Sequence, residues 1–102
     1  MTDTLFTSID INADATHSTT TVLVRYFAGA MAAAGVAEEL LELPAGGRVA
    51  DALALVAERR GPELVRVLPA CSYLLDGIAV HDHETVLPNG AELDVLPPFA
   101  GG

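Results

Sequence analysis

Six residues of this 102-residue chain have the types and order to do chemistry: Pro97-Pro98-Phe99-Ala100-Gly101-Gly102, reached directly from the apolar run Leu93 to Leu96. Two prolines lack N–H donors and have φ fixed, so they end a preceding strand and project the last four residues as a stiff extended arm. Six extended residues span roughly 20 Å, enough to cross a partner's surface and enter a narrow channel. Gly101 and Gly102 carry no Cβ and accept backbone angles closed to other residues. The carboxylate of Gly102 is then the most accessible carbonyl group in the protein, but with an unperturbed pKa near 3.5 it is anionic at pH 7 and a poor electrophile. Such a tail reads as a substrate that another enzyme must activate.

Other candidate groups carry less chemistry. His81-Asp82-His83-Glu84 holds metal-capable side chains without a defined third ligand, and reads as a solvated turn. Cys71, the single cysteine, reads as a small buried hydrophobe at the start of a strand; it cannot form an internal disulfide, which fits a reducing compartment. Gly46-Gly47 lacks the Lys and Ser/Thr of a phosphate loop and reads as a turn. Glu38 and Glu39 read as solvated surface. With no nucleophile, base and orienting group in view, the chain is not expected to be an enzyme by itself, and no bound cofactor or metal is expected.

Composition limits the partners. Fourteen acidic residues against five basic ones give a net charge of −9, and all five basic residues are arginine. This balance argues against nucleic acid and anionic membrane as partners and favours steering toward a cationic protein face. Having no lysine, the chain cannot accept an isopeptide through its own side chains. The apolar runs are interrupted well short of the roughly 20 residues of a membrane span, and the first residues do not resemble a secretory signal. One cytoplasmic domain is expected.

Several elements must position the tail. Residues 1–19, rich in Thr, Ser, Asp, Asn and His, are expected to be a mobile N-terminal extension, with Leu5, Phe6, Ile9 and Ile11 able to add a short edge strand. From Thr20 to Phe27, β-branched residues and apolar side chains on both faces predict a strand inside a sheet. The alanine-rich stretch Ala28 to Ala34 predicts a short helix ended by Gly35, and Glu39 to Leu43 a second strand. Val49, Leu53, Val56 and Ala57 share one face of a main helix over 49–60, stopped by Gly61-Pro62. Because Arg48 is a poor N-cap, Gly47 is expected in that role, with Gly61 as a left-handed C-cap.

Glu63 to Pro69 fits neither period cleanly and is either one more helical turn or an irregular crossing. Asp76-Gly77 between Ser72–Leu75 and Ile78–Val80 is a strong hairpin signal. A turn over 86–90 then leads into a last strand over 91–96. The class is α+β, a mixed sheet packed on one main helix.

From Thr20 to Gly102 the chain resembles the ubiquitin-like sulfur carriers of the MoaD/ThiS group, and within it is most similar to the small subunit of molybdopterin synthase. The resemblance rests on Val24-Arg25-Tyr26-Phe27-Ala28, the helix with Val49, Asp51 and Leu53, the Asp76-Gly77 and Asn89-Gly90 turns, and above all the Pro-Pro-Phe-Ala-Gly-Gly terminus. Two departures stand out: Ala30-Met31-Ala32-Ala33 offers no basic residue in the first helix, and Phe99 stands where a smaller aliphatic residue is common.

The resemblance implies a ubiquitin-like β-grasp over 20–96 with a working tail over 97–102. It implies that an E1-like adenylyltransferase uses ATP to make an acyl-adenylate of Gly102 and that a sulfur donor protein displaces AMP to give a thiocarboxylate. Gly101 would provide clearance, while Ala100, Phe99, Pro98 and Pro97 would line the groove of the large synthase subunit. There the sulfur would pass to cyclic pyranopterin monophosphate in molybdenum cofactor biosynthesis. A carrier for thiamin thiazole or cysteine biosynthesis, a ubiquitin-like protein modifier and a noncatalytic binding module remain as alternatives.

Overall fold

The computed structural model describes residues 19–98. The first strand, β1 (Thr19–Tyr26), alternates buried and half-buried positions, with Thr20, Val22, Val24 and Tyr26 turned to the core. It continues through α1 (Ala28–Ala34), β2 (Glu38–Pro44), α2 (Val49–Arg60), α3 (Pro62–Val67), a 3-10 turn (Leu68–Ala70), β3 (Ser72–Leu75), β4 (Ile78–Ala79) and β5 (Ala91–Leu96). The sheet order is β2-β1-β5-β3-β4. β5 runs parallel to β1, in register Val24 to Leu93, and antiparallel to β3, in register Leu75 to Leu93.

The helices cover one face of the sheet. Val49, Ala52 and Val56 of α2 and Leu64 of α3 join Val22, Val24, Leu41, Leu43, Leu93 and Val95 in one apolar cluster. This is the α+β class expected, and the element order is that of a ubiquitin-like β-grasp. Residues 1–18 lie outside the described residues, so the expected extension and its edge strand do too; Thr19 belongs to β1.

Local chemistry accounts for the boundaries. Gly35 ends α1 at φ 82, its N–H donating to the Met31 carbonyl at 2.9 Å. The Asp76-Gly77 turn has φ values of 49 and 83, the mirror-image turn that matches strand twist. Val80 N–H extends the hairpin ladder to the Tyr73 carbonyl at 2.9 Å, although β4 itself stops at Ala79. The ambiguous stretch after Gly61 is helical, α3 followed by the 3-10 turn, because Pro62 sits favourably in the first turn.

Two capping expectations are corrected. Arg48, not Gly47, is the N-cap of α2, and its own N–H donates to the Asp51 carboxylate at 2.8 Å. The first two N–H groups of the helix, on Val49 and Ala50, donate to the carbonyls of Thr85 at 3.0 Å and His83 at 2.8 Å, so the helix start needs no capping side chain. Gly61 does cap α2, its N–H donating to the Ala57 carbonyl at 3.1 Å, but with φ 95 and ψ −169 it lies in an extended region open essentially only to glycine, not in the left-handed helical one. That conformation lets one residue end α2 and start α3. A Cβ on Gly61 would meet nothing within 4 Å, so Gly61→Ala is expected to cost about 1–3 kcal/mol through backbone strain alone. Chemical denaturation of the variant checks this.

Candidate functional site

Everything that fixes the root of the tail converges on the end of β5. Its last paired positions are Val95, opposite Tyr26 and Tyr73, and Leu96, opposite Ser72. Phe27 N–H donates to the Val95 carbonyl at 3.1 Å, after which the chain turns away at Ala28 with φ 49. On the other side Tyr73 is buried, its hydroxyl donating to the Leu68 carbonyl at 2.7 Å and its ionisation pushed up to about 12, first by burial. Pro97 follows half-buried and Pro98 exposed. With no N–H to offer, neither can prolong the ladder, and the chain leaves the domain between the end of β1 and the start of β3.

A charged clamp crosses the two parallel strands beneath this exit. Arg25 lies opposite Asp94, and its guanidinium donates from Nε to Oδ1 at 2.9 Å and from Nη2 to Oδ2 at 3.1 Å. Asp94 is one of only two buried polar residues among those described, and this two-pronged pairing satisfies both its oxygens. The same guanidinium lies 5.4 Å from the centre of the Phe27 ring, joining the end of β1 to the clamp.

Of the six residues expected to form the working tail, the structure places Pro97 and Pro98 at its base. Phe99, Ala100, Gly101 and Gly102 lie outside the described residues. The other candidates take structural parts. Cys71 is half-buried, its thiol donating to the Val67 carbonyl at 3.4 Å and its ionisation pushed up by burial. His83 packs edge-on against Tyr73 at 5.3 Å, while Asp82 organises its own loop, accepting from Glu84 N–H at 2.9 Å and Thr85 Oγ1 at 2.6 Å. The described residues hold no group of three or more His, Cys, Asp or Glu that could bind a metal. Gly46, at φ 87, shapes the turn after β2.

Glu39 overturns the expectation of a solvated carboxylate. Its side chain is only 7% exposed and receives Arg60 at 2.8 Å and Arg59 at 3.0 Å, while Tyr26 donates its hydroxyl to Oε2 at 2.5 Å. Burial alone would raise its pKa, but the hydrogen bonds from Arg60, Tyr26 and Arg59 outweigh it and hold the carboxyl below its usual range. A carboxyl lowered on folding lends stability that is complete above its unfolded value and is lost as pH falls through the folded one. The stability difference between the native chain and Glu39→Gln is therefore expected to shrink as pH drops from about 5 toward 2, measured by urea unfolding across that range. The sequence could not announce this site, because Arg59 and Arg60 reach Glu39 across about 20 residues.

Comparison with known proteins covers both the domain and its tail. The ThiS family model matches residues 24–102. The chain is 33% identical over 82 residues to the molybdopterin synthase sulfur carrier subunit of Chlamydomonas reinhardtii, covering 79% of this chain and 98% of that protein. Among solved structures it is similar to a putative molybdopterin converting factor, subunit 1, from Pyrococcus furiosus (29% identity, TM-score 0.68, 78% of this chain and 99% of that one). It is also similar to the small archaeal modifier protein 1 of Methanosarcina acetivorans (27%, TM-score 0.67, 82% and 98%). A protein complex of subunits 1 and 2 of the molybdopterin-converting factor from Helicobacter pylori matches at 25% identity with TM-score 0.59, covering 81% and 100%. With the fold, a family match running from residue 24 to Gly102 and a relative 33% identical over 82 residues all in agreement, the chain belongs to the ThiS family of ubiquitin-like sulfur carriers.

Proposed function

We propose that this chain is the sulfur carrier and small subunit of a molybdopterin synthase, delivering sulfur from a thiocarboxylate at Gly102 to cyclic pyranopterin monophosphate. The observation that carries this reading is the 33% identity to a molybdopterin synthase sulfur carrier subunit across 98% of that protein's length. An E1-like enzyme joins the Gly102 carboxylate to the AMP moiety of ATP and releases pyrophosphate. A sulfide-level sulfur from a donor protein then attacks the carbonyl carbon, and the C–S bond forms as the C–O bond to AMP breaks. The carrier's own residues contribute delivery: Arg25, Asp94 and the ladders to β1 and β3 hold the root, Pro97 and Pro98 stiffen the arm, and Phe99, Ala100 and Gly101 fit the groove of the large subunit. The chain itself is noncatalytic in this scheme. The Helicobacter pylori complex supports a subunit 2 partner.

Co-expression with an E1-like enzyme and a sulfur donor should replace one oxygen of the terminal carboxyl by sulfur, visible in the intact mass. An unchanged mass under conditions that load a known carrier would sink the reading. Which partner copurifies decides the pathway, with the molybdopterin large subunit expected and a thiazole synthase or cysteine synthase contradicting it. A second reading, a protein modifier, is favoured by the likeness to a small archaeal modifier protein. It requires Gly102 to appear in isopeptide bonds to lysines of other proteins, since this chain has none.

A further inference from the structure

The outer edge of β2 (Glu38–Pro44) has the composition of a docking strand. β2 is a terminal strand of the sheet, paired on one side with β1, and no other described strand pairs with its outer side. Its residues divide cleanly between two faces. Leu41 and Leu43 are buried in the core, and Glu39 is held by Tyr26, Arg59 and Arg60. Glu38, Leu40 and Glu42 face outward, all exposed, with Leu40 at 65%.

The arginines offer this edge no ion pair. Arg25 is paired with Asp94, Arg48 with Glu84, Arg59 and Arg60 with Glu39, and Arg66 with Glu63. Arg25 stands opposite Glu38 in the ladder and feels its charge, but no ion pair among the described residues reaches Glu38 or Glu42, and with no lysine in the sequence the edge stays net negative.

Such an edge selects its partner by charge. An exposed strand edge is a template for another strand, and an apolar side chain on it gives the added strand something to bury. A second copy in antiparallel pairing centred on Leu40 would place Glu38 opposite Glu42 twice, and like charges directly opposite are unfavourable. The same register with a different strand places one of its side chains against Leu40 and the two flanking ones against Glu38 and Glu42. We propose that the outer edge of β2 docks an extended protein segment of the pattern cation-x-apolar-x-cation, added antiparallel to the sheet. The inference goes beyond the sulfur-carrier reading and does not rest on it: the tail leaves from β5, on the far side of β1 from this edge.

The probe is a blocked peptide, acetyl-Thr-Arg-Thr-Val-Thr-Arg-Thr-amide, titrated into the full isotope-labelled chain and followed by amide chemical shifts. Shifts confined to residues 38–44 and their β1 neighbours are expected, with binding that weakens as salt rises. The Glu38→Lys, Glu42→Lys double variant, with core amide shifts retained to show that it folds, should bind this peptide roughly ten-fold more weakly and prefer the peptide with Glu in place of Arg. No perturbation at 38–44 overturns the proposal, as does equal binding of the Arg and Glu peptides to the native chain. Concentration-dependent shifts at 38–44 in the free chain would assign the edge to a second copy instead. Binding that appears only after residues 1–18 are removed would assign it to the chain's own N-terminal segment, and either result also overturns the proposal.

Discussion

Removing Gly102 is expected to abolish sulfur loading while leaving the thermal midpoint unchanged. The truncated chain still ends in a glycine carboxylate, on Gly101, so the chemical group survives and only its reach changes, by roughly 3.5 Å. Misplacing a reacting group by about 1 Å can cost on the order of 100-fold, so a full residue of retraction should reduce thiocarboxylate formation by at least that factor. The fold has no stake in the change, because the sheet ends at Leu96 and Pro98 is already exposed. Intact-mass analysis after incubation with the activating enzyme, ATP and a sulfur donor reads the outcome. Loading at the native rate would remove Gly102 from its proposed role.

Leu93→Ala should produce the largest loss of stability of any single substitution considered, about 2–5 kcal/mol. Leu93 is completely buried on the middle strand of the sheet, opposite Val24 on one side and Leu75 on the other, and within the cluster that also takes in Val56 and Leu64. No neighbouring strand can collapse inward without breaking a ladder, so the cavity persists. Against the total of about 5–15 kcal/mol typical of a small domain, the variant stands near the edge of folding. Urea unfolding tests this, with Leu40→Ala as a control expected within about 0.5 kcal/mol because that side chain is largely exposed. A cost for Leu93→Ala no larger than the control's would show that the middle strand is not packed as described.

Legibility in the sequence is governed by distance along the chain. The Asp76-Gly77 hairpin, the alternation of β1 and the stop at Gly61-Pro62 are each written within a few residues, and each occurs in the structure. The Arg48 cap escapes a residue-by-residue reading because arginine ranks low as a cap when considered alone; the carbonyls of His83 and Thr85, more than 30 positions on, take the first N–H groups of the helix. Glu39 escapes for the same reason, since the groups that bury it arrive from the end of α2 and from Tyr26. The parallel pairing of β5 with β1 joins residues about 70 positions apart, and no local pattern encodes it. Only the likeness to a known family points to it. The chemistry proposed for the tail comes from residue types alone, whereas any fit of Phe99 to Gly102 in a groove depends on a surface belonging to another molecule.

The parallel alignment of β5 with β1 has a mechanical consequence. If, as proposed, the tail is drawn into and out of one enzyme after another, the domain is pulled at Pro98, along the axis of β5. That strand is held by β1 through Val22 to Tyr26 on one flank and by β3 through Ser72 to Leu75 on the other. Tension along the strand loads both ladders in shear, so their bonds share the force, whereas a tug at a hairpin end would unzip them one at a time. The end of β5 is therefore anchored where the domain best resists extraction, and on the proposed function it would leave a tight channel without beginning to unfold.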